Sequence, residues 1–182
     1  MPDYSHIAPI SGTATGVFLP CDVRLSLATA VPVTTTDQTA KTTIFATLYN
    51  GDRVALPDGT GVWNIITVTE PSVAVPATTN TPFDIFGYNN GGALALETLN
   101  WTNDTTRATA LVTQNGKLCK TGALTRLYLG TGRTTGVSGQ TEDSDVNRLL
   151  SNYYNRAWRR LLKYDATVHT YVTAAFRAWN NN

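Results

Sequence analysis

Apolar and polar residues alternate along much of this chain with a period of two. In "VRLSLATAV", Val23, Leu25, Leu27 and, less strictly, Val31 lie on one side, with Arg24 and Ser26 opposite. Successive strand side chains point to opposite faces, so this pattern predicts a half-buried strand. "TTIFATLYNGDRVALPDG" places Ile44, Ala46 and Leu48 on one face, then Val54 and Leu56 after "NGD". Asn50-Gly51 and Asp58-Gly59 are hairpin-turn dipeptides, because Asn, Asp and Gly tolerate positive φ. "VWNIITVTE" alternates Trp63, Ile65 and Thr67 before Pro71 ends it. "FDIFGY" sets Phe83 and Ile85 against Asp84, Phe86 and Tyr88. It is followed by the turn "NNGG" and by "ALALETLNW", where Leu94 and Leu96 share a face. "RATALVTQ", "NGK" and "LCKTG" repeat this grammar. "LTRLYLGTGRTT" then sets Leu124, Arg126 and Tyr128 against Thr125, Leu127 and Leu129, and the glycine-rich "GTGRTTGVSGQ" is expected to break the sheet. Short strands at regular spacing with turn signals between them predict a mainly β chain, an antiparallel β-sandwich or barrel.

One segment has a different period. In "GQTEDSDVNRLLSNYYNRAWRRLL", Val146, Leu149, Leu150, Tyr153, Tyr154, Ala157, Trp158 and Leu161 recur at helical spacing. Thr141 or Ser144 suits an N-cap. Glu142, Asp143 and Asp145 suit the first turn, and Arg156, Arg159, Arg160 and Lys163 the last. The pattern predicts one amphipathic helix near 143–162. The resulting organisation is an N-terminal arm over residues 1–20, a β-sandwich domain over 21–140, and an amphipathic helix with a final strand over 141–182. The helix covers the sheet of its own subunit, or part of its stripe packs on a neighbour. Two tyrosines and a tryptophan resemble interface anchors, so Leu150, Tyr153, Tyr154 and Trp158 are the candidate oligomer interface. The opposite face, with Arg148, Arg156 and Arg159, is expected to stay solvated or to meet acidic side chains of a neighbour. In the arm, Tyr4, Ile7, Ile10 and Phe18 are candidate docking residues, because an aperiodic segment with few apolar anchors orders on binding a partner.

Composition narrows the function. Charged residues are only 15% of the chain, and about one residue in six is threonine, whose branched side chain suits strands. A net charge of +1 gives no global field to recruit nucleic acid or a membrane surface. No apolar run approaches the length of a membrane span, and "MPDYSHIAPISG" lacks the pattern of a signal peptide. Cys21 and Cys119 therefore read as reduced, packed thiols.

The search for chemistry returns no catalytic, cofactor or metal site. His6 and His169 have no spaced Cys, Asp or Glu partner. "GTGRTTG" resembles a phosphate-cradling loop but lacks the lysine-threonine pair. Glu70, Glu97 and Glu142 fall in separate elements, so no carboxylates pair for glycoside cleavage. Asp104 and Arg107 lie close enough in sequence for a turn and an ion pair.

"LYNGDRVAL", "PFDIFGYNNGGALALETLNWTNDTTRATALVTQNGKLCKTG", "RLYLGTGRTTGVSGQTEDS" and "NYYNR" resemble a family of tailed-bacteriophage virion proteins. The linked motifs cover roughly residues 42 to 160. The resemblance implies a non-enzymatic structural component of a fibre or other appendage, synthesised in the bacterial cytoplasm and carried on the virion. Its implied partners are copies of itself, as a homotrimer, and other virion proteins. The alternatives are a tail-fibre module that recognises a host-surface glycan or protein through loops such as "YNNGG" and "WTNDTT", and a capsid decoration protein. No cofactor, nucleic-acid or membrane partner is expected.

Overall fold

The computed structural model describes residues 19–162. They form thirteen strands in antiparallel pairs, with no helix among them. The strands are β1 (Val23–Ser26), β2 (Gln38–Lys41), β3 (Thr43–Leu48), β4 (Arg53–Pro57), β5 (Trp63–Thr67), β6 (Ser72–Ala74), β7 (Pro82–Asn90), β8 (Ala93–Asn100), β9 (Leu111–Gln114), β10 (Lys117–Lys120), β11 (Ala123–Arg133), β12 (Thr141–Asp143) and β13 (Leu150–Asn152).

One layer is a bent ribbon of three chain passes. Residues 20–26 pair first with β4, through the Cys21–Val54 bridge, and then with β3, in register Val23 to Leu48. On its other side β4 pairs with β5, and β3 with β6. The Asn50-Gly51 turn therefore does not close a hairpin. It interrupts one long pass between two strands that share a partner. Asp58-Gly59 does close a hairpin, β4 to β5, with Gly59 at φ +87° and the Asp58 carboxylate accepting from Thr60 and Val62 N–H. β5 follows the expected alternation only in part: Trp63 packs on the core as expected, but so does Ile66, and Ile65 is exposed.

The other layer has order β8-β7-β11-β10-β9, with β13 also on β11. The Asn89–Gly92 and Asn115-Gly116 turns close the β7–β8 and β9–β10 hairpins as expected. Phe83, Ile85, Leu94, Leu96, Leu127 and Leu129 face inward, against Val23, Leu25, Leu27, Ile44, Ala46, Val54 and Leu56. The alternation read from the sequence assigns these faces correctly. Val31 and Leu48, assigned to the same side, are exposed instead.

The glycine-rich segment does not break the sheet. β11 runs through Gly130-Thr131-Gly132 to Arg133. Its first half pairs with β10 and its last residues with β13, Gly130 opposite Asn152 and Gly132 opposite Leu150. A Cβ on Gly130 would lie 2.1 Å from the Ser151 carbonyl oxygen, and one on Gly132 would lie 2.4 Å from the Phe83 ring. The glycines serve close packing, not a phosphate.

The expected helix near 143–162 is absent. Residues 142–149 form a tight hairpin, in which Leu149 N–H donates to the Glu142 carbonyl and Ser144 N–H to that of Asn147. The Ser144 hydroxyl accepts from the N–H groups of Val146 and Asn147, the same capping chemistry applied to a turn. Residues 150–152 complete β11, and 153–162 continue as an irregular strap. The open edge of β11 decides the outcome: its backbone groups need partners, and a local helical preference is weak against a tertiary ladder. Leu19 and Pro20, counted with the arm, already lie buried, and the Pro20 carbonyl accepts from Ala55 N–H. The rest of the arm, and the final strand expected after the helix, lie outside the described residues.

Gly130→Ala is expected to destabilise the domain by about 3 kcal/mol, because the clash is with backbone, lowering the melting temperature by roughly 10 °C. Gly136→Ala, whose Cβ would meet only the Asn80 side chain at 3.9 Å, should leave the melting curve near wild type.

Candidate functional site

The outer face of the larger sheet is built by the same alternation. Asp84, Phe86 and Tyr88 leave β7 on the side away from the core. Register sets Phe86 beside Tyr128 on β11 and Glu97 on β8, and Asp84 beside Thr131. The loop 101–110 folds over one end of this face. Arg107 from that loop lies 4.6 Å from the Trp101 ring centroid and 5.6 Å from that of Tyr128. Its Nε donates to Asp84 at 2.9 Å. The Thr131 hydroxyl donates to the other Asp84 oxygen at 2.8 Å, and Tyr128 Oη lies 2.6 Å from Thr131 Oγ1. Asp84 is 1% exposed, so a charge that would be costly alone is held by a cation and a hydroxyl. Asp104 does not pair with Arg107 as expected. It meets Arg133 at 3.1 Å, in solvent.

At the other end Glu97 accepts from Lys120 Nζ at 2.8 Å and Arg126 Nε at 2.7 Å. Arg126 stacks 3.9 Å from the Tyr88 ring centroid, and Lys120 lies 5.5 Å from that of Phe86. Burial works against the Glu97 charge, but hydrogen bonds from Lys120 and Arg126 outweigh it and hold the carboxyl below its usual range. The carboxylates of this face are saturated by their own cations. The arrangement cements a surface.

The four candidate interface residues fall in three places. Leu150 and Tyr154 are half-buried and pack against the core. The Tyr153 ring lies 5.5 Å from Tyr128 and 4.9 Å from Tyr154, nearly perpendicular to the latter, and so extends the aromatic face. Lys117 Nζ sits 4.4 Å from the Tyr154 ring centroid. The Tyr154 hydroxyl is buried, faces the Leu118 main chain without reaching hydrogen-bond geometry, and has its pKa pushed up by burial. Trp158 stands apart and fully exposed, with Leu161 65% and Leu162 46% exposed beyond it. The candidate docking residues Tyr4, Ile7, Ile10 and Phe18 lie outside the described residues, as do His6 and His169.

Helical-period reasoning missed the residues that fix the strap. Asn152 Oδ1 accepts from Leu25 N–H at 2.6 Å and its Nδ2 donates to the Leu25 carbonyl at 3.0 Å, so one amide side chain mimics a ladder partner for β1. Asn155 Nδ2 donates to the Cys21 and Val23 carbonyls, at 2.6 and 2.8 Å. Asn155 has φ +52°, a conformation asparagine tolerates better than most residues. The signal was present in "NYYNR": asparagines three apart within an apolar stripe are poor helix formers with bonding capacity to place. Of the three arginines expected on a solvated face or against a neighbour, Arg156 is exposed and Arg148 and Arg159 turn inward. Arg148 and Arg159 both pair with Asp143 of their own chain, at 2.9 and 2.7 Å, and are largely buried.

Cys21 and Cys119 are free and buried. Burial pushes the Cys21 thiol up to about 12, which leaves it protonated at neutral pH. No cluster of three or more His, Cys, Asp or Glu side chains is present among the described residues. Comparison of the chain with protein-family models, curated proteins and solved structures gives no match.

Arg107→Met is expected to cost about 3 kcal/mol, since it leaves Asp84 buried without its cation. Adding Asp84→Asn should recover part of that loss in a urea-denaturation double-mutant cycle. A second outcome concerns acid. Because the folded Glu97 carboxyl titrates below its ordinary value of 4.5, its contribution is complete above that pH and fades as pH falls through the folded value. Glu97→Gln should therefore be less stable than wild type at neutral pH, with the gap narrowing as pH is lowered below 4.5, by chemical denaturation across that range.

Proposed function

We propose that this chain is a structural component of a tailed-phage virion, an oligomerising fibre or appendage protein. The single observation that carries the oligomeric part is the exit of the strap. Among the described residues Trp158 is fully exposed, and Leu161 and Leu162 are 65% and 46% exposed beyond it. Large apolar side chains grouped on one exposed segment are what an interface buries. The virion assignment rests on the sequence resemblance. The segments that carry it have identifiable structural work: "WTNDTTRAT" supplies the Arg107 cover of the outer face, the GTG of "YLGTGRTTG" admits β13, and "NYYNR" ties the strap to β1. Homotrimer formation, docking through the 1–20 arm and location on the particle belong to the same proposal.

A second reading, recognition of a host-surface glycan, draws on a different place. The β4–β5 and β7–β8 turns converge on a shallow groove of about 290 Å³ lined by Pro57, Asp58, Asn64, Asn89, Gly91, Gly92 and Thr125. Its carboxylate, amides and hydroxyl are the groups that bond saccharide hydroxyls, and Asn89–Gly92 belongs to a loop the sequence nominates. The two readings are compatible in one chain.

Trp158→Ala is expected to convert the oligomer to a folded monomer in light scattering, with a melting temperature that no longer depends on protein concentration. A wild-type chain that stays monomeric at all accessible concentrations would defeat the oligomeric proposal. An oligomer indifferent to Trp158→Ala would remove the strap from the interface.

A further inference from the structure

An open cavity of about 440 Å³ lies where the strap crosses β1, β12 and β13. Its walls carry four guanidiniums, from Arg24, Arg148, Arg156 and Arg159, and one carboxylate, Asp143. That carboxylate is fully engaged, one oxygen to Arg148 Nη1 and the other to Arg159 Nη1. Arg159 spends Nη2 on the Thr34 hydroxyl at 2.8 Å, and Arg148 spends its remaining groups on Asp145 and the Arg160 carbonyl. These two arginines are structural.

Arg24 and Arg156 are different. Arg24 is only 6% exposed, yet no carboxylate meets it among the described residues. Its Nε donates to the Pro32 carbonyl at 2.8 Å and its Nη1 to the Asn155 carbonyl at 2.6 Å, while its Nη2 makes no hydrogen bond among those residues. Burial, and then the neighbouring Arg159 guanidinium, pull its pKa below the ordinary arginine value. A buried cation held by carbonyl dipoles beside a like charge carries an uncompensated desolvation cost. Arg156 is exposed at the rim, 5.7 Å from the Tyr153 ring centroid and without a carboxylate partner among the described residues.

The excess of positive charge calls for an anion, and guanidinium forks match the paired oxygens of carboxylates and phosphates. The volume is that of a small-molecule site, roughly 300–1,000 Å³, larger than a lone ion needs. Leu150 and Ala157 add an apolar wall, and Ser151 a hydroxyl. We propose that this cavity binds a small organic oxyanion, a carboxylate or phosphate group on a body of monosaccharide size. Arg24 and Arg156 supply the unneutralised charge, and the Arg148–Asp143–Arg159 bridge is the frame. The site is lined by one chain and is separate from the 58–92 groove.

Calorimetric titration of the full chain with glucuronate, glucose 6-phosphate and glucose tests this. At least one of the two anions should bind at least tenfold more tightly than glucose, with affinity falling as salt is raised. Binding by one anion alone supports the proposal and identifies the group. Arg156→Gln should weaken that binding at least fivefold while leaving the melting temperature unchanged, since the residue sits on the rim. Arg24→Met should abolish it. If that variant does not fold, the result with Arg156→Gln decides. No binding of either anion, glucose binding as tightly as the anions, or wild-type affinity in Arg156→Gln would overturn the proposal.

Discussion

The carbonyl of Ser151 occupies the space where position 130 would carry a side chain. β13 can lie against the end of β11 only because that position is glycine. Much follows from this one contact. With β13 in the lane, Asn152 reaches Leu25, Asn155 reaches Cys21 and Val23, and the strap is drawn across the outer side of β1. Arg24, on that outer side, is then covered rather than solvated. The cavity, its arginines and the outward course of Trp158 all derive from the strap's path. A methyl group at residue 130 would disturb each of them through its collision with Ser151.

The two layers are joined in two ways. The inner joint is ordinary hydrophobic packing, nearly all of it from alternate residues of β1, β3, β4, β7, β8 and β11. The outer joint is polar and local, two asparagine amides standing in for backbone. Hydrogen bonds of this kind each contribute only about 1 kcal/mol net, but they are directional where the core is not. They fix which part of the tail lies on which part of β1. The outer face of the larger sheet follows a similar logic, since Asp84 and Glu97 each take two donors and leave little capacity for a ligand.

How far the sequence speaks depends on the kind of information each element carries. The core faces of β1, β7, β8 and β11 were legible because period two has one physical meaning when a sheet is buried on one side. The Asn89–Gly92 and Asn115-Gly116 hairpins were legible because their turns require positive φ. Asn50-Gly51 carried the same signal and misled: the dipeptide reports a local bend, and only the shared partner strand reveals that no hairpin closes there. The 143–162 segment misled more deeply. Its apolar spacing fits a helix, but Leu150 and Tyr154 meet the core from a strand and a strap. What decides between those forms is the unpaired edge of β11, which no window around residue 150 contains. The inward arginines were illegible for the same reason, since Arg24 and Arg159 belong to opposite ends of the chain.

The clasp also constrains how the molecule can be made. Asn152 and Leu25 are separated by 127 residues, so the bond that secures the smaller layer cannot form until almost the whole domain has been synthesised. Until then β1 keeps one exposed polar side, and the last residues of β11 keep an open edge of the type that recruits stray strands. Contacts this distant in sequence fold slowly, because chain closure must come before they reward it. A nascent chain would thus hold nearly all of its antiparallel strands with a vacant lane beside Gly130. The tail segment that fills the lane is the same one that carries Trp158 outward, so the presentation of that tryptophan is coupled to completion of the fold.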